Sequence, residues 1–175
     1  MKKTIILSMA LFAFTSIFAQ ENLLKINPNF ETGKLNGWEC FGPDKDLITV
    51  LPEAAYKSNF GLQFNVAETK ATLFSKVRDG VVFKIEKGKK YCFEMMVKVI
   101  SKGSSVALLS VYPVTGLKAD GPNIQKKVPL KSMKENEWVK VNFDFDGVDM
   151  PEAKISLLIN NGVYYLDDFK FYEVK

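Results

Sequence analysis

The chain has no histidine, and its only cysteines are Cys40 and Cys92. Without histidine there is no Ser-His-Asp or Cys-His arrangement, no imidazole metal ligand and no imidazole general base. Two cysteines are too few for a four-cysteine zinc site, and they form no CxxC pair for thiol redox chemistry. There is no Walker loop and no GxGxxG to cradle phosphates. The formal charge is only +4, with both signs interspersed, so the concentrated basic face that nucleic acid requires is missing. The densest basic stretch, KIEKGKK at 84–90, reads as a solvated hairpin turn. Together these absences remove most catalytic classes and leave recognition, so no enzyme is expected.

Long apolar runs are confined to the first residues. Lys2 and Lys3 precede TIILSMALFAFTSIF, and Ala19 closes that run before the polar QEN, which is the layout of a cleaved secretory signal. The run is shorter than the roughly 20 residues that span a bilayer, and no second one follows, so no membrane span is expected. Removing residues 1–19 leaves residues 20–175, a size suited to one domain with its own core. The expected location is outside the cytoplasm, in a periplasm or the extracellular medium. There a bridge between Cys40 and Cys92 would persist if it formed, and the sequence leaves its formation open.

What remains is patterned as β-structure. LQFNV, YCFEMMVKV and VKVNFDF carry apolar residues at alternate positions, so each presents one face to a core and one to water. In VKVNFDF the inward set is Val139, Val141, Phe143 and Phe145. No stretch holds a helical period over ten residues. Turn signals such as NPNFETGKLNG, SKGSS, ADGPN and NNG separate the runs into about nine or ten strands. Strands of this kind without crossover helices pack as an all-β, antiparallel sandwich of jelly-roll type. The segment GVYYLDDFKFYEV breaks its own alternation: Leu166 and Phe169 both belong in the core although they differ by three positions. A β-bulge around Asp167 and Asp168 reconciles them and is expected to turn Asp167 outward.

Two stretches taken together carry a resemblance. NLLKINPNFETGKLNGW (22 to 38) resembles the N-L-hydrophobic-x-N-P-G-F-E-x-G then G-W opening of carbohydrate-binding modules of the cellulose-, glucan- and xylan-binding jelly-roll group, galactose-binding-domain-like β-sandwiches. YYLDDFKF (164 to 171) is similar to the strand that closes those modules, and SNFGLQFNV, KGKKYCFEMMVKV and NEWVKVNFDF resemble their middle strands. Asn29 stands where that family usually has glycine, a replacement that a left-handed backbone tolerates. The resemblance implies a non-catalytic protein that binds a polysaccharide or oligosaccharide on a concave sheet face or loop rim. It also implies a structural calcium joining the chain ends. Carried over residue by residue, the metal ligands would be Glu31 and Asp167, with Asn59 and Asp168 beside them and carbonyls of the loop at 57–59, an oxygen-only set suited to calcium. Asp167 and Asp168 are not expected to act as a catalytic pair, because neighbouring residues on a strand point to opposite faces.

Sugar recognition needs aromatic faces for the apolar side of a pyranose and polar groups for its hydroxyls. Trp38 and Trp138 are expected to serve packing. With Phe93, Met95 and Val97 directed inward, the outward positions Glu94, Met96 and Lys98 become ligand candidates, with Gln63, Asn65, Tyr112 and Asn142 from strands taken as neighbours. Tyr56 and Phe60, in the loop YKSNFG, are candidates for a cleft wall. The alternative is a structural or protein-interaction jelly roll with a partner protein and no sugar site.

Overall fold

The computed structural model describes residues 20–75, 83–103, 106–115, 118–119, 121 and 123–175. The expected export signal, residues 1–19, lies outside them. Ten strands follow in order: β1 (Trp38–Phe41), β2 (Ile48–Leu51), β3 (Gly61–Ser75), β4 (Phe83–Ile85), β5 (Lys90–Lys102), β6 (Ala107–Thr115), β7 (Lys118–Ala119), β8 (Ile124–Val128), β9 (Trp138–Asp146) and β10 (Met150–Val174). Helical structure among the described residues is limited to three single 3-10 turns, at 45–47, 52–54 and 130–132. None is long and apolar enough to cross a membrane.

All ladders between these strands are antiparallel, and the two longest strands belong to both layers of the sandwich. In the first layer, residues 150–160 of β10 lie between β6 and residues 70–74 of β3, with β8 beyond β6 and β1 beyond β3. In the second layer, residues 162–174 of β10 lie between β5 and residues 61–66 of β3, with β9 beyond β5 and β2 beyond β3. The crossing falls at Gly162, where the register with β3 shifts and φ is +120°. A side chain there is strained by that backbone, and its Cβ would sit 2.3 Å from the Tyr164 hydroxyl.

One continuous core joins the layers, with Leu73, Leu109, Ile155 and Leu157 from the first and Leu62, Phe64, Phe93, Tyr164 and Phe171 from the second. The inward set of β9 is as the alternation predicts for Val141, Phe143 and Phe145, while Val139 is only half-buried. Cys40 in β1 and Cys92 in β5 belong to different layers and are both free thiols, so no bridge joins them. The opening segment is stitched to β10: the Leu23 N–H donates to the Phe171 carbonyl at 2.6 Å, and Asn22 Oδ1 accepts from the Phe171 N–H at 2.9 Å. Phe30, Trp38 and Phe169 then pack edge-on or tilted against one another, with ring centroids 5.2–5.9 Å apart. The left-handed non-glycine residues of this segment are Asn27 and Phe30, not Asn29.

Candidate functional site

The outward face of the first layer carries a groove of about 550 Å³. Its residues follow from period-two alternation in strands that look almost continuously apolar. In β6 and β10, Leu109, Val111, Ile155 and Leu157 fill the core, so Leu108, Ser110, Tyr112, Lys154, Ser156 and Leu158 face the other way. Cross-strand register lines them up in rows. Leu108 sits opposite Leu158, Leu158 opposite Thr72, and Thr72 opposite Phe41, which makes a mostly apolar row. The next row is polar, with Gln125 opposite Ser110 and Ser110 opposite Ser156. The third pairs Tyr112 with Lys154, whose ammonium lies 5.3 Å from the ring centroid. Asn123 closes the β8 side, and Phe41, 52 % exposed, stands at the opposite rim. Burial pushes the Tyr112 hydroxyl above its ordinary value, reinforced by Glu39, and pulls the Lys154 ammonium below its own, with Glu39 opposing.

Of the residues expected to bind ligand, only Tyr112 lies in this groove. It does not neighbour the others, because β6 pairs with β10 in the first layer and not with β5. Gln63, Asn65, Glu94, Met96, Lys98 and Asn142 occupy outward register positions of the second layer, with Met96 beside Asp167 and Glu94 between Lys170 and Asn142. Tyr56 reaches the same side, its ring 5.3 Å from that of Trp138. Phe60 packs beside Gly33 instead of standing over a cleft. Phe41, Gln125, Ser110, Lys154 and Ser156 escaped the sequence reading. The signal that marks three of them is a small or charged residue interrupting an apolar strand, Ser110 in ALLSVYP and Lys154 and Ser156 in AKISLLI.

A second constellation surrounds the loop at 56–60. The expected bulge is present: β10 spends the three residues after Asp167 where β5 spends two, between the pairs Asp167–Met96 and Lys170–Glu94. Asp167 keeps the outward side of the sheet, opposite Met96, but is not exposed there as expected. Asp168 takes the left-handed conformation, φ +52°, and is half-exposed beside Lys170 at 2.8 Å, while Asp167 is covered by the 56–60 loop and is 1 % exposed. The buried carboxylate accepts from the Tyr56 N–H at 2.8 Å and the Ser58 hydroxyl at 2.5 Å through Oδ2, and from the Asp168 N–H at 2.7 Å through Oδ1. Burial still raises the Asp167 carboxyl above its ordinary value against those three donors. Glu31 clasps the other end of the loop, accepting from the Asn59 N–H at 2.9 Å, the Asn59 side-chain amide at 2.7 Å and the Phe60 N–H at 3.2 Å. The Asn59 side chain foremost, then the two N–H groups and Ser58, hold Glu31 below its ordinary value.

Glu31, Asn59 and Asp167 therefore meet on one loop, while Asp168 pairs with Lys170. Their oxygen-only chemistry suits calcium. Each carboxylate uses three of its roughly four acceptor positions on the protein itself. Among the described residues no group of three or more Asp, Glu, Cys or His could hold a metal, so an ion here would draw further ligands from amide and carbonyl oxygens.

No protein-family profile matches the chain, and no curated protein sequence does. Solved structures do. A TmCBM61 module in complex with β-1,4-galactotriose superposes with a TM-score of 0.61 at 19% identity, covering 88% of this chain and 99% of that one. The CBM22-1 xylan-binding domain of Paenibacillus barcinonensis Xyn10C gives 0.62 at 22% identity, covering 90% and 97%. An arabinose-bound MgGH51 α-L-arabinofuranosidase gives 0.60 at 12% identity, covering 87% of this chain but 25% of the enzyme. The chain has the all-β, galactose-binding-domain-like sandwich fold of these carbohydrate-binding modules.

Proposed function

We propose that this chain is an exported, non-catalytic carbohydrate-binding protein that holds a segment of polysaccharide or oligosaccharide in the first-layer groove. The observation that carries the proposal is the pairing of two aromatic rings, Phe41 and Tyr112, with the amides of Asn123 and Gln125 in one open groove on a sheet. Phe41 offers the apolar side of a pyranose a ring to lie on, and the amides with Ser110 and Ser156 offer donors and acceptors to its hydroxyls. The sheet fixes these groups before a ligand arrives, which lowers the ordering cost of binding. Catalysis is disfavoured by the lining itself: the described lining residues include no Asp or Glu, and glycoside hydrolysis works through a pair of carboxyl groups. Similarity in fold to modules in complex with galactotriose or named as xylan-binding supports the same class of ligand.

A structural calcium at the 56–60 loop belongs to the proposal. When bound, it would supply one multivalent anchor for Glu31, Asn59 and Asp167 and so join the opening segment to the closing strand. The whole proposal is tested on an array of plant and microbial glycans, xylan and galactan fragments included. Binding to at least one glycan, weakened in Phe41→Ala at an unchanged melting temperature, is expected. Silence across the array would reject the sugar reading in favour of a protein partner.

A further inference from the structure

We infer that the opposite face of the sandwich holds a second saccharide site, independent of the groove, beneath the 56–60 loop. A pocket of about 360 Å³ opens there between that loop and the outward residues of β5, β9 and β10. Met96 gives it an apolar floor, and Tyr56 gives it an aromatic wall backed by Trp138, with ring centroids 5.3 Å apart. The remaining lining alternates acceptors and donors at short range. Glu94, 9 % exposed, accepts on Oε1 from the Tyr172 hydroxyl at 2.8 Å and pairs there with Lys140 at 2.6 Å, and among the described residues this leaves Oε2 to a ligand. Across the pocket Asp168 pairs with Lys170 at 2.8 Å, and the Lys57 ammonium lies 4.9 Å from the Tyr56 ring centroid.

A ligand for this pocket must offer hydroxyls that both donate and accept, on a body with an apolar side. A neutral pyranose meets those terms. A simple anion meets them poorly, because two of the three lining ammonium groups are already paired with carboxylates. The site also has its own positioning device. The Tyr56 N–H is bonded to buried Asp167, so the wall stands where the carboxylate holds it. With the groove on the other side of the sandwich, the protein would be bivalent and could bridge two glycan chains.

The test is titration of the full protein, labelled at methionine methyl groups and backbone amides, with xylotriose and with β-1,4-galactotriose, followed by NMR. For at least one sugar the Met96 methyl and the amides of Lys57, Glu94 and Lys170 should shift along their own saturation curve. Tyr56→Ala and Glu94→Gln should each weaken that curve about tenfold and spare the shifts around Ser110 and Ser156. Phe41→Ala should do the opposite. Shifts at Met96 without any at Ser110 would retain this site and reject the groove. No shift at Met96 up to about 20 mM sugar, a Met96 shift abolished by Phe41→Ala, or an equal shift with glycerol would each overturn the second site.

Discussion

Replacing Asp167 by Asn changes the shape of the side chain little and its hydrogen-bonding capacity a great deal. The native carboxylate serves donors on both oxygens, the Tyr56 N–H and Ser58 hydroxyl on one and the Asp168 N–H on the other. An amide has one acceptor and one donor end, so whichever way it turns, a buried backbone N–H faces an NH₂ group. An unmet buried donor costs about 1–3 kcal/mol. Relief of the desolvated charge offsets part of this, which leaves a net loss of about 2 kcal/mol. In a chain of this size that lowers Tm by about 6 °C. Measured by thermal melts in excess chelator, the effect isolates the hydrogen bonds from any ion. Asp168→Asn is the control: it loses only an exposed pair with Lys170, its amide suits the left-handed backbone, and its melt should stay within about 2 °C of wild type. The deficit of Asp167→Asn should also depend on pH. The folded carboxyl lies above its ordinary value of 3.8, so protonation favours the fold, fully below 3.8 and less as pH rises through the folded pKa. The Asn variant lacks that gain, and its deficit widens on going from pH 7 toward pH 4. An Asp167→Asn melt within 1 °C of wild type, or an Asp168→Asn melt equally low, would refute the assignment of the loop to Asp167.

Phe41→Ala removes a ring that is 52 % exposed, so it should weaken glycan affinity about tenfold by titration calorimetry with little change in Tm. Unaltered affinity would move the ligand off that rim. Chelation of a calcium held at a hundredfold excess over its Kd removes about 2.7 kcal/mol of stabilisation, so the wild-type Tm should fall by roughly 5–10 °C. An unchanged melt after verified metal removal would reject the ion and leave the hydrogen bonds as the whole anchor. Gly61→Ala would place a Cβ 1.9 Å from the Ala54 carbonyl oxygen, backbone against backbone, and should cost about 3 kcal/mol or more in a denaturant titration. Burial holds both thiols at about 11, so at pH 8 neither Cys40 nor Cys92 should react promptly with a thiol reagent in the native protein; both should react after denaturation.

Alternation was the most readable property of the chain. It separated Phe93, Met95 and Val97 from Glu94, Met96 and Lys98 correctly, because a pleated strand has only two sides. The three-residue gap from Leu166 to Phe169 likewise revealed the bulge, since both residues had to reach the core. Alternation does not say which layer a strand joins, and this separated Tyr112 from the residues grouped with it. It was also silent where Tyr56 roofs the outer face of β5 and where Tyr172 bonds to Glu94, so those outward residues are more buried than their position implied. The fate of Asp167 was unreadable for a different reason. Its decisive donors, at Tyr56 and Ser58, lie more than a hundred residues away along the chain and are brought to it only by the finished fold.

The dual membership of β10 makes both layers depend on one strand. Residues 150–160 pair with β6, β3 and β4, and residues 162–174 with both β3 and β5, so without this segment four strands keep open edges in the middle of the sandwich. Closure of the core between the two layers therefore waits on residues 150–174. The two sheets hang on one shared strand, so releasing it would expose unpaired edges in both layers at once.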